Sequence, residues 1–179
     1  KTLVQEMFSI ETLSRIDVLC LDKTGTLTEG KMEIEQVVEL DNPLLYDIDK
    51  IMNSFVAGSL DNNITFQTLK KYFNKPATYK TLNRIAFSSA RKWSAIELET
   101  VGTIIVGAPE IIKPNYNLPQ NVTVMAKSGA RVLMIGYHEN INILQDTINK
   151  TIPLGLIVIK DPIRKDAKET LKFFSENDV

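Results

Sequence analysis

The sequence predicts a mixed α/β fold: an α+β domain inserted between two end pieces that share one sheet. Three observations carry this. Ile16–Leu21 is a nearly continuous apolar run that ends on Asp22 and a turn around Gly25. Leu154–Ile159 is a second such run, followed by a helix signal at Asp161-Pro162. Between them the pattern is helices first, then several short strands with irregular connections. Continuous apolar strands read as buried parallel strands, so the two end pieces are expected to share one sheet while the middle folds by itself.

The elements follow in order. Ile16–Leu21 reads as a buried strand with an acid at its carboxyl end, where open parallel sheets bind ligands. Cys20 belongs to that strand and is expected in the core. Lys31–Leu40 reads as a strand carrying Ile34, Val37 and Val38. Asp41-Asn42-Pro43 signals a helix start, and Leu44, Ile48, Ile51, Met52 and Phe55 recur at helical spacing. Asp61-Asn62-Asn63 opens a second helix with Leu69, Tyr72 and Phe73 on one face. Thr78–Phe87, Trp93–Glu99 and Thr103–Val106 predict an antiparallel meander, with Trp93 packing a strand face. Pro119–Ser128 predicts a helix stopped by Gly129, and Val132–Tyr137 a further strand. Asp161 is expected to cap a last helix with Pro162 at its first position and Ile163, Ala167, Leu171 and Phe174 on one face.

Composition narrows the function. The formal net charge is −1, so nucleic acid is not an expected partner. The single cysteine excludes an internal disulfide and a cysteine zinc cluster. No apolar run approaches the roughly eighteen residues that cross a bilayer. The first residues lack the features of a signal peptide. Both ends read as cuts made in a longer protein. The one histidine, His138, has no partner pattern and receives no role, and the methionines form no stripe.

Asp22-Lys23-Thr24-Gly25-Thr26-Leu27-Thr28 carries the chemistry. A carboxylate at a strand end, beside a glycine turn, can present its oxygen to a phosphoryl group. Turn amides and the Thr24 and Thr26 hydroxyls can receive phosphate oxygens. Such a carboxylate can act as nucleophile and form an aspartyl-phosphate, a transfer that needs charge neutralisation by magnesium. The stretch resembles the DKTGTLT phosphorylation motif of P-type ATPases at all seven positions. The resemblance implies that Asp22 is phosphorylated by ATP, within a catalytic set of Asp22, Lys23, Thr24 and Thr26. Asp22 and the carbonyl of Thr24 would hold Mg2+, and Thr26 would bind the phosphoryl group. Related haloacid-dehalogenase-type phosphatases carry a second acid two residues after the nucleophile to protonate the leaving group. Thr24 stands there and cannot do so, which implies a longer-lived intermediate.

Further stretches resemble the nucleotide-binding motifs of the same family. In Phe87-Ser88-Ser89-Ala90-Arg91-Lys92, Phe87 would stack on adenine and Lys92 would approach the phosphates or base. Ser89 sits in this motif where some calcium pumps carry arginine. Read alone, the stretch is a strand-end aromatic followed by solvated charges. Val106-Gly107-Ala108-Pro109-Glu110 resembles KGAPE, with Gly107 admitting a close backbone approach and Val106 in place of the lysine. Thr65-Phe66-Gln67-Thr68-Leu69 resembles the TEAAL helix without its glutamate. Gly129-Ala130-Arg131-Val132-Leu133 resembles GLRVL, so Arg131 would reach the phosphates or ribose. Asp161-Pro162-Ile163-Arg164 resembles the DPPR hinge motif, in which Asp161 and Arg164 would help orient ATP. Both also read as helix-capping residues.

The resemblance implies a nucleotide-binding domain, residues 29–154, with an antiparallel sheet flanked by helices. It is inserted in a Rossmann-like phosphorylation domain represented by residues 1–28 and 155–179. The later TGD and GDGxND motifs do not occur. The motifs lie nearer the calcium- and magnesium-pump branches than the heavy-metal branch, whose His-Pro pair is missing. The function implied is ATP-driven cation transport, calcium foremost, by a protein anchored in a membrane, expected to be the plasma membrane, with this chain on its cytoplasmic side. Partners would be ATP, the cation and the protein's own transmembrane and actuator domains. The fragment itself is expected to be a monomer without turnover. The rivals are a soluble phosphatase with a large cap and a nucleotide-binding module without catalysis.

Overall fold

A computed structural model describes residues 8, 11–12, 15–41, 44, 46–141 and 148–177. The chain divides into two compact units, Met32–Lys160 and the pair of end pieces Lys1–Lys31 and Asp161–Val179.

The middle unit is built on a six-stranded sheet in the order β1-β6-β5-β4-β3-β2. Its strands are β1 (Glu33–Glu39), β2 (Thr81–Ser88), β3 (Trp93–Leu98), β4 (Gly102–Gly107), β5 (Arg131–His138) and β6 (Ile152–Lys160). Every pairing is antiparallel. Helices α1 (Ile48–Gly58) and α2 (Ile64–Tyr72) cover one face, and α3 (Pro109–Ile112) and α4 (Gln120–Lys127) the other. Alternation along the strands feeds two cores. Ile104, Val106, Ile157 and Ile159 join the α1–α2 side. Ile105, Leu156 and Val158 join Ile112 and Val122 on the other.

This layering corrects the reading of Leu154–Ile159. The run lies within β6, at the centre of the antiparallel sheet between β1 and β5, and not in a sheet shared with the start of the chain. A strand with helices on both faces buries successive residues whatever its direction, so its apolar run does not reveal parallel pairing. The unit accordingly runs from Met32 to Lys160, not from 29 to 154.

The helix signals divide. Asn63 caps α2, its side chain accepting from Phe66 N–H at 2.9 Å. The first helix begins later than expected: its cap is Asp47, which accepts from Lys50 N–H at 3.0 Å. Asn42 and Pro43 lie outside the described residues. Gly129 stops α4 with φ +97°, a conformation that favours glycine.

In the end-piece unit, the run Ile16–Asp22 forms no strand among the described residues, and Ile16, Val18, Cys20 and Leu21 are exposed. The apolar pattern was expected to mark a core strand. A strand is buried only where neighbours cover both its faces, and the described residues of this unit do not provide them. Lys23–Leu27 form one wide helical turn. The last helix, α5, spans Ala167–Glu176 and follows Asp166, not Asp161. Residues 161–164 pair instead with the turn after Asp22. Thr28 bridges Ile163, and Glu29 N–H donates to the Pro162 carbonyl at 2.8 Å. Ile163 therefore stands outside the helix, 69 % exposed. Among the described residues no helix is long and apolar enough to cross a membrane.

Candidate nucleotide pocket and phosphorylation turn

Antiparallel pairing places the ends of β2 and β4 beside the starts of β3 and β5. Ser88 pairs with Trp93, Trp93 with Gly107, and Gly107 with Met134. At this edge of the sheet lies a pocket of about 780 Å³. Phe87, Lys92, Gly107 and Arg131 all line it, each from a different strand end. The range is that of small-ligand sites, typically a few hundred to about 1,000 Å³.

Each side chain is held by local structure. Phe87 is 42 % exposed, and its main-chain N–H donates to Asp61 Oδ1 at 2.8 Å. Lys92 adopts φ 59°, a left-handed conformation rare outside glycine. Its N–H closes the turn on the Ser88 carbonyl at 2.7 Å, and its carbonyl accepts from Ala108 N–H at 3.0 Å. The second bond draws the start of β3 close to the end of β4. A Cβ on Gly107 would stand 2.4 Å from both the Lys92 carbonyl oxygen and Trp93 Cβ. The glycine is thus required by the neighbouring strand. Arg131 Nη1 donates to the Thr65 hydroxyl on the first turn of α2. The Lys113 ammonium donates to the Asn149 carbonyl at 2.7 Å.

The pocket wall is more apolar than lysine and glutamate at two family positions would make it. Val106 and Phe66 line it at 5 % and 6 % exposure. Tyr116 also lines it, and burial pushes its phenol above the ordinary tyrosine pKa, so the hydroxyl stays neutral. Ser89 does not reach the pocket. It is exposed in the turn after β2, because that turn directs Phe87 and Lys92, not Ser89, to the sheet edge. Asp61 and Tyr116 line the pocket from outside the quoted motifs, and Thr65 and Glu110, which the motifs contain without an assigned role, line it too. Asp61 was read as a helix opener, and its bond to a strand backbone leaves no periodic trace.

The turn after Asp22 belongs to the end-piece unit. Asp22 and Thr26 are exposed. The side chains of Lys23 and Thr24 lie outside the described residues. Asp161 and Arg164 converge on this turn and do not line the pocket. The Thr28 hydroxyl donates to Asp161 Oδ2 at 2.6 Å and accepts from Gly25 N–H at 3.1 Å. Arg164 donates through Nε to the Thr28 carbonyl at 3.2 Å and through Nη2 to the Gly25 carbonyl at 3.1 Å. Their position holds the turn from outside, in place of the capping role. Among the described residues no group of three or more His, Cys, Asp or Glu is placed to hold a metal.

Comparison with known proteins places this arrangement. No protein-family model matches the chain. It is 39% identical over 188 residues to the probable cation-transporting ATPase exp7 of Streptococcus pneumoniae serotype 4, covering 100% of this chain and 23% of that protein. It is 31% identical over 179 residues to the calcium-transporting ATPase CtpE of Mycobacterium tuberculosis, covering 99% of this chain and 22% of that protein. In fold it is similar to a zinc-transporting PIB-type ATPase in its E2.Pi state, with TM-score 0.60, 18% identity, and coverage of 95% of this chain and 26% of that one. The chain thus spans about a quarter of the length of the relatives it matches. With the motif turn, the sheet topology and a match over the whole of this chain in agreement, the chain belongs to the P-type ATPases, as a fragment of their length.

Proposed function

We propose that this chain binds ATP and receives its γ-phosphoryl group within a membrane ATPase that moves a cation. The observation that carries the reading is the convergence of Phe87, Lys92, Gly107 and Arg131 on one pocket. An aromatic face, two cations and a close backbone match a base with a polyphosphate. The Asp22 carboxylate oxygen attacks the γ-phosphorus, the bond from that phosphorus to the β,γ-bridging oxygen breaks, and ADP leaves with the electron pair. The products are ADP and an aspartyl-phosphate, which water later hydrolyses to inorganic phosphate. Thr24 cannot act as the general acid of a phosphatase, so the intermediate persists.

The donor set suits Mg2+. Asp22, whose carboxylate is exposed, and the Thr24 carbonyl would hold the ion, with water and phosphate oxygens as its other ligands. When bound there, the ion neutralises charge on the transferring group. Arg164 and Asp161 keep the turn in shape for that contact. Val106 and Phe66 supply apolar surface, so the chain alone is expected to bind nucleotide without turnover. Calcium is the favoured cation, since CtpE relatives carry that name. The chain then forms the cytoplasmic part of a membrane protein, the plasma membrane being the expected site.

The test is phosphorylation of the full-length protein by ATP labelled at the γ position. The expected product is acid-stable, hydroxylamine-sensitive and absent in Asp22→Asn. Label that persists in Asp22→Asn would refute the assignment. For the pocket, amide NMR titration of the chain with ATP should move Phe87, Lys92, Gly107 and Arg131 together.

A further inference from the structure

Asp61 stands two residues before the cap of α2 but does not cap it, because Asn63 takes that role. Its Oδ1 accepts the main-chain N–H of Phe87 at 2.8 Å, joining residues 26 positions apart. A carboxylate is thereby fixed at the root of the half-exposed aromatic, and it lines the same pocket. Among the described residues its second oxygen meets no donor. Three other polar side chains that line the pocket are engaged. Asn63 accepts from Phe66 N–H, the Thr65 hydroxyl accepts from Arg131, and Lys113 binds the Asn149 carbonyl. Phe66 offers the pocket only an apolar face.

We infer that Asp61 is the specificity-determining residue of the pocket: it reads the amino edge of a purine stacked on Phe87. The inference rests on the nucleotide reading above. An ionised carboxylate is an acceptor only. The 6-amino group of adenine can donate to Asp61 Oδ2, whereas a 6-oxo purine brings an oxygen to the same place. Two acceptors facing one another in a partly dry pocket leave both unpaired, which discriminates by about tenfold or more. Because Oδ1 is held by Phe87 N–H, the reading oxygen and the stacking ring are set by one bond.

The test compares ATP with inosine triphosphate, by calorimetric titration of the protein and of Asp61→Asn and Asp61→Ala. In Asp61→Asn the amide oxygen can keep the Phe87 bond while the amide nitrogen turns a donor toward the base. The unaltered protein should prefer ATP roughly tenfold. Asp61→Asn should bring the ATP-to-inosine-triphosphate ratio to one or below, by weakening ATP and strengthening the 6-oxo nucleotide. Asp61→Ala should weaken both, since the Phe87 backbone loses its anchor. An unchanged ratio in Asp61→Asn, with ATP still bound and the Phe87 amide resonance unmoved, would overturn the inference and leave the nucleotide reading standing. If the unaltered protein bound neither nucleotide, both would fall together.

Discussion

Asp161 accepts the Thr28 hydroxyl through Oδ2 at 2.6 Å, joining residues 133 positions apart. Thr28 is 0 % exposed, so this bond ties the turn that carries Asp22 to the returning chain. Thr28→Val keeps the shape and removes the hydroxyl, which also accepts from Gly25 N–H. The substitution leaves Gly25 N–H and Asp161 without that partner, and an unsatisfied buried group costs about 1–3 kcal/mol. Amide hydrogen exchange is the check. Gly25 should exchange at least about fivefold faster in Thr28→Val, each 1.4 kcal/mol of lost protection being a factor of ten. Exchange in β4 should be unchanged.

Gly107→Ala should damage the sheet edge and the pocket at once. The added Cβ would stand 2.4 Å from the Lys92 carbonyl oxygen and 2.6 Å from Trp93 Cα, which are backbone atoms without side-chain freedom. Overpacking of this kind costs about 1–3 kcal/mol. Thermal unfolding should report that loss, and ATP affinity should fall with it. A variant as stable as the original would mean the strands part at no cost, contrary to the geometry.

Phe87 separates stacking from backbone anchoring. Its bond to Asp61 uses the main-chain N–H, so Phe87→Ala leaves that bond available. Base–aromatic stacking is worth about 1–3 kcal/mol. Titration with ATP should show at least a fivefold weaker Kd for Phe87→Ala, restored in Phe87→Trp. Equal affinities would place the base elsewhere.

Asp47 gives the α1 cap a pH dependence. The Lys50 N–H bound to its carboxylate, with the Lys50 ammonium beside it, holds the Asp47 pKa below the ordinary 3.8. A carboxyl whose folded pKa is lowered stabilises the fold above its unfolded pKa. That contribution fades as pH falls below 3.8 toward the folded value. At neutral pH, Asp47→Ala should cost about 0.5–2 kcal/mol, the range for losing a helix cap. The gap from the original should narrow on acidification through that window. Asp47→Asn, still a good cap, should show little of this dependence. Chemical denaturation at several pH values, followed by far-ultraviolet circular dichroism, would decide it.

Much of the fold is legible because each signal is local. Trp93–Leu98 alternates between two cores, Asn63 caps α2 with its own side chain, and Gly129 stops α4 with a backbone few other residues adopt. The pocket residues are legible for another reason: Phe87, Lys92, Gly107 and Arg131 sit at strand ends in recognisable motifs. Asp61 was missed because its partner lies 26 positions away on a main-chain atom, and no side-chain pattern records that bond. Asp161 and Pro162 misled for the same reason. A helix-start dipeptide was engaged by Thr28 and Glu29 before it could begin a helix.

The sequence by itself determined the identities of the strand-end residues and the locations of the middle-unit strands, and its Asp22 motif carries the phosphorylation proposal. These depend on residue type and short-range spacing. Only the tertiary structure decided which sheet owns Ile152–Lys160 and which side chains share a pocket. An apolar run records that both faces of a strand are covered, but not by what or beside which neighbour. Strand pairing and the Asp61–Phe87 contact arise from hydrogen bonds between distant backbone groups, which every residue type except proline can donate.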